Sequence, residues 1–261
     1  MSSIRNVAVV DATGSIGRRA IPALLDAKFA VAVVTYTSEG KSFPPQVRVA
    51  VTDFSPESLH EVLTGQDAVL CVLGHAVCDR HIDDTKGPND VAEYHAILGK
   101  KAQAQNLLEE LAKENSDFTW TSFWNGPLLD RANSGNERFT AMSISKIGKP
   151  MAAVVKHPEE TKKQFVRLSA LTTSQRAILT ALERLTDTKW DTTTVSIEEA
   201  RREGKIKLQN GDYKGANVGF LVAQLYEDRA RRSVLDGADN ELLEVEPEEL
   251  DDVIRKALAW V

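Results

Sequence analysis

Val7-Ala8-Val9-Val10 runs without a polar residue into Asp11-Ala-Thr-Gly-Ser-Ile-Gly17, and then into Arg-Arg-Ala-Ile-Pro-Ala-Leu-Leu. This junction constrains the fold more than any other stretch. A strand apolar at every position, rather than at alternate ones, must be covered on both faces, as in a parallel sheet sandwiched between helices. Ile16, Ala20, Ile21, Leu24 and Leu25 then recur at helical spacing, so residues 15–28 read as a helix. Further apolar runs at Ala30–Thr35, Val47–Val51 and Ala68–Leu73, with a helix at Pro56–Thr64, extend the pattern to a doubly wound parallel α/β sheet.

The turn between the first strand and helix has the layout of a dinucleotide site. Gly14 lets backbone approach a pyrophosphate, and Gly17 lets the helix pack closely on the strand. The first position of the usual three-glycine pattern is Asp11, which sets a carboxylate toward the phosphates. At about 5 Å and an effective dielectric near 20, one such charge pair costs at most ~3 kcal/mol. The second strand ends in Thr35-Tyr36-Thr37, without the acid that favours NAD or an arginine for a 2′-phosphate. Lys41 is the nearest cation, and Tyr36 is placed to pack on an adenine.

The rest of the chain is less regular. Residues 74–99 are polar and carry Gly87-Pro88-Asn89 at their centre, so they are expected to be mostly irregular. A helix over 100–113 and a strand over Phe118–Trp124 follow, then an irregular piece at 131–142 and a helix near 145–156. Gln164–Ala170 reads as a strand. Thr173 or Ser174 caps a helix through Thr186, Lys189–Val195 is strand-like, and Ser196 opens another helix. A terminal helix is expected from Pro247 onward.

A net charge of −6 argues against a nucleic-acid grip, and no apolar run is long enough to span a membrane. With two cysteines and no signal peptide, a reducing, cytoplasmic setting is expected. His75, Cys78 and His81 have the spacing of no common zinc site, so no metal is expected. Lys100 and Lys101 open a helix and are candidates for proton transfer, or else solvated surface lysines. The chain has no Tyr-x-x-x-Lys pair.

Taken in order, VAVVDATGSIGR, DFSPESLHEVLTGQDAVLCVLG, GKKAQAQNLLEEL with FTWTSFWNGPLLD, and HPEETKKQFVRLSALTTSQRAILTALERLT resemble the NmrA-like and isoflavone-reductase-like atypical short-chain dehydrogenases of fungal type. The resemblance implies a Rossmann-like sheet with a small C-terminal α/β lobe. Residues 1–130 would form the nucleotide-binding domain, with parts of 143–170 returning to it and 131–261 mostly the substrate lobe. It implies NADP(H), or alternatively NAD(H), bound by Asp11, Thr13, Gly14, Ser15, Ile16, Gly17, Tyr36 and Gly74, and the Asp11 charge with the missing arginine at Tyr36 makes that binding weak by expectation. Lys100 matches the family's catalytic lysine, with Lys101 one step out of register. The implied function is an NAD(P)-dependent oxidoreductase acting on a small organic substrate. The alternatives are a non-catalytic nucleotide-sensing regulator with a protein partner, or an inactive member. Between Ile82 and Asp83 the family's next helix and strand are missing, so one strand fewer is expected here than in relatives.

Overall fold

The computed structural model describes residues 4–72, 100–124, 138–193, 195–212, 215–216, 218–220, 234–235 and 237–259. They group into two compact units. The first comprises Met1–Ile82, Ile144–Lys162 and Glu241–Glu244, and the second Asp83–Ser143, Lys163–Asn240 and Val245–Val261. Expectations for residues 75–99 lie outside the described residues.

The first unit is a parallel sheet in the order β3-β2-β1-β4. Its strands are β1 (Asn6–Val10), β2 (Ala30–Thr35), β3 (Arg48–Val51) and β4 (Ala68–Cys71). Val9 lies between Val33 and Leu70, and Val10 between Val34 and Cys71. Helix α1 (Gly17–Asp26) carries the chain from β1 outward to β2, while α2 (Pro56–Leu63) carries it from β3 back across to β4. Right-handed crossovers in opposite directions put these helices on opposite faces. That is why Val7, Ala8, Val9 and Val33 are all fully buried: both faces of the central strands are covered. Val62 and Leu63 of α2 pack on Ala8, Val10 and Val34.

Helix α4 (Gly148–Lys156) lies against α1 so closely that a Cβ at Gly148 would stand 2.2 Å from the Arg19 carbonyl oxygen. Asp67 fastens the start of β4 to β1 by accepting from the amides of Arg5 and Asn6 at 2.9 and 2.8 Å. Those backbone bonds hold its carboxyl below the usual range. On the side away from β1, β4 pairs with no described strand, and Val69 is 48% exposed.

In the second unit, α3 (Lys100–Glu114) precedes β5 (Thr121–Trp124), which pairs in parallel with β7 (Gln164–Arg167). β6 (Arg138–Ala141) pairs antiparallel with β8 (Leu171–Ser174). Helix α5 (Gln175–Thr186) is capped by Ser174 and α6 (Ile197–Gln209) by Ser196, as their sequences indicate. Helix α7 (Leu250–Leu258) meets α5 through an Arg184–Asp251 ion pair, which lowers the Asp251 carboxyl and raises the Arg184 guanidinium.

Three readings of the sequence are corrected. Lys189–Val195 forms no strand among its described residues. The Lys189 ammonium and the Trp190 amide turn back onto the Glu183 carboxylate instead. The last helix begins at Leu250 rather than Pro247. Glu248 is held outside the helix, its amide donating to the Ala170 carbonyl and its buried carboxylate accepting from the Ser143 amide and hydroxyl at 2.8 and 2.6 Å. Within 131–142, read as irregular, residues 138–141 form β6.

Candidate nucleotide site

At the C-terminal edge of the first sheet, β1 ends between β2 and β4. Open α/β sheets bind ligands outside the carboxyl ends of their strands. The turn after β1 lies there. β1 ends at Val10, and Asp11 takes a left-handed conformation with φ +62°. Aspartate tolerates this region better than most side chains, so it keeps the backbone bend that a glycine usually supplies. The Asp11 carbonyl then accepts from the Gly14 amide at 3.1 Å, closing the turn.

The glycines do two jobs. At Gly17 a Cβ would stand 2.5 Å from the Asp11 oxygen and 2.6 Å from the Ala12 Cα, so this residue is where α1 rests on the turn. At Gly14 the nearest atom to such a Cβ is the Asp11 Oδ2, at 2.9 Å. The aspartate carboxylate therefore lies over the residue whose missing side chain makes room for a phosphate.

Helix α1 has no side-chain N-cap and no acid in its first turn. Among the described residues, the amides of Ser15, Ile16 and Gly17 donate to no protein acceptor. Unpaired amides at the start of a helix form an anion cradle through their own dipoles and that of the helix. Thr13 supplies a carbonyl to the Arg18 Nε at 2.8 Å, which fixes the rim of the turn. These residues fit a pyrophosphate, apart from the charge on Asp11.

Beside the turn, β2 and β3 end in a second cluster. The Lys41 Nζ donates to the Thr35 hydroxyl at the last residue of β2. The Tyr36 ring, 46% exposed, meets Phe54 with centroids 4.4 Å apart and planes tilted by 45°. Phe54 is held in place because its amide donates to the Thr52 hydroxyl, which in turn contacts the Ser58 hydroxyl at 2.8 Å. Asp53 locks the same corner by accepting from the Ser55 hydroxyl and amide, which lower its pKa.

Thus Asp11, Thr13, Gly14, Ser15, Ile16 and Gly17 form one continuous turn, with Tyr36 in the neighbouring cluster of the same unit. Gly74 lies outside the described residues. Lys100 and Lys101 open α3 in the other unit, and their side chains lie outside the described residues. Arg18 and Phe54 were missed in the sequence. The signal for Arg18 was its place one residue beyond the glycine turn. Phe54 carried none, because its role depends on the pairing of β3 with β2. No group of three His, Cys, Asp or Glu side chains placed to hold a metal ion occurs among the described residues, and no described helix is long and apolar enough to cross a membrane.

This geometry is that of a Rossmann-like unit, and residues 12–93 match the NAD(P)H-binding family model. Over nearly its whole length the chain is similar to oxidoreductase poxI of Penicillium oxalicum, at 28% identity across 95% of this chain and 92% of the relative. That alignment spans 289 positions against the 261 residues here, so the relative carries stretches that this chain lacks. In fold the chain resembles isoflavone reductase, with TM-score 0.68, 13% identity, and coverage of 97% and 99%. It also resembles the structure described as AtPrR2 with NADP+ and (+)pinoresinol, with TM-score 0.74, 14% identity, and coverage of 98% and 99%.

Proposed function

We propose that this chain is an NADP(H)-dependent oxidoreductase acting on a small organic substrate. The observation that carries the reading is the cradle of free amides at Ser15, Ile16 and Gly17 over the glycine turn. Cofactor choice rests on the end of β2, where Lys41 is anchored on Thr35 and residues 35–37 include no acid to hold a ribose 2′-hydroxyl. The exposed Tyr36 face, backed by Phe54, offers a surface for adenine.

When bound, the nicotinamide ring supplies or accepts the hydride. The part left to the protein is to hold the pyrophosphate and to move a proton. We assign the proton to Lys100, by the likeness of GKKAQAQNLLEEL to the lysine helix of the reductases. The likeness to relatives named oxidoreductases supports the reaction class, and the NADP+ in the AtPrR2 structure supports the cofactor.

The test is calorimetric titration with NADPH and NADH, followed by NADPH oxidation against a panel of small carbonyl and aromatic compounds. Tighter binding of NADPH with turnover supports the proposal. Binding without turnover assigns the chain to nucleotide sensing, and binding of neither nucleotide overturns the reading.

The same titration checks Asp11. Asp11→Gly is expected to tighten NADPH binding by roughly 10- to 100-fold, because it removes a like charge beside the pyrophosphate and relieves the positive φ. Equal dissociation constants would show that the carboxylate turns away without cost.

A further inference from the structure

We propose that Arg18 is a pyrophosphate-binding residue at the rim of the turn. This rests on the reading of the turn as a nucleotide site, and adds to it a residue that the glycine pattern does not include. Arg18 is the second residue of α1, and its amide donates to the Gly14 carbonyl at 3.0 Å. Its exposed side chain reaches back to the turn, where Nε donates to the Thr13 carbonyl at 2.8 Å.

That bond uses one of the five guanidinium N–H groups. Among the described residues the two Nη groups have no hydrogen-bond or ion-pair partner, and α1 has no acid in its first turn to supply one. Other arginines behave differently: Arg184, Arg202 and Arg255 each rest on a carboxylate. A guanidinium tethered at Nε and free at both Nη atoms is a fork of fixed orientation, matched to two oxygens of one phosphate. Its attachment point, Thr13, belongs to the same turn as Ser15, Ile16 and Gly17, whose amides face the same anion. Tethering also lowers the entropy lost when the fork engages its ligand.

The experiment measures NADPH affinity and melting temperature for wild type, Arg18→Gln and Arg18→Lys at low and high salt, with inorganic pyrophosphate as competitor. Arg18→Gln is expected to weaken NADPH and pyrophosphate by about 10- to 100-fold. It should also flatten the salt dependence while leaving the melting temperature unchanged, since the side chain is exposed. Arg18→Lys, which keeps the charge and loses the fork, should fall between the two. Wild-type affinity and salt dependence in Arg18→Gln overturn the role of Arg18 and leave the nucleotide reading standing. Failure of wild type to bind NADPH overturns the nucleotide reading itself. If Arg18→Gln melts early, Arg18→Lys at wild-type melting temperature decides: intermediate affinity supports the fork, and unchanged affinity overturns it.

Discussion

Gly17→Ala is expected to lower the melting temperature by roughly 5–10 °C and to remove measurable NADPH binding. The added Cβ would stand 2.5 Å from the Asp11 carbonyl oxygen and 2.6 Å from the Ala12 Cα, and both atoms are backbone. Neither can rotate aside. Helix α1 must therefore lift from the turn, at an overpacking cost of about 1–3 kcal/mol or more. For a domain of this size that is about 2–4 °C per kcal/mol. The shift also breaks the alignment of the Ser15, Ile16 and Gly17 amides, so affinity falls along with stability. Gly14→Ala is the control. Its Cβ would meet the Asp11 Oδ2 at 2.9 Å, a side-chain atom, and the Asp11 backbone oxygen only at 3.3 Å, so melting should fall less than in Gly17→Ala while the phosphate space is filled. Differential scanning fluorimetry and calorimetric titration of both variants check the contrast. Equal melting losses would show that Gly17 is not the pivot of the turn.

Lys100→Ala is expected to reduce turnover by about 10²-fold or more while leaving NADPH affinity within about twofold of wild type, the signature of a lost proton-transfer group. Lys100 begins α3 in the second unit, whereas the nucleotide turn belongs to the first. A change confined to kcat would thus separate chemistry from cofactor binding. Single-turnover NADPH oxidation with the best substrate of the panel makes the measurement. Unchanged turnover returns Lys100 to a solvated surface role and passes the assignment to Lys101.

What the sequence made readable was what local chemistry decides. The apolar run at Val7–Val10, the small residues at Gly14 and Gly17, and the capping serines Ser174 and Ser196 each act within a few residues of themselves. The errors arose where distant partners decide. Residues 138–141 become a strand because Leu171–Ser174 pairs with them across about thirty residues of chain. Pro247–Glu249 has the letters of a helix start, but Ser143 and Ala170 hold Glu248 outside the helix. Lys189–Val195 looks like a strand by composition, and Glu183 draws its first two residues back toward α5. In the site, the charge of Asp11 was legible and its left-handed backbone was not. The sequence alone offered no way to see that the residue preserves the bend while filling the space beneath it.

The first unit is assembled from three separate stretches of chain, with α4 covering α1 at Gly148. During synthesis, α1 leaves the ribosome long before its cover exists. At about 5–20 residues per second, the roughly 120 residues between Asp26 and Gly148 take on the order of ten seconds to appear. Throughout that interval the face of α1 at Arg19 and Ala23 lacks its final packing. A nascent chain halted before residue 148 should therefore be a good client for chaperones, and the commitment to a closed nucleotide turn comes late in translation, although nearly all its residues are made first.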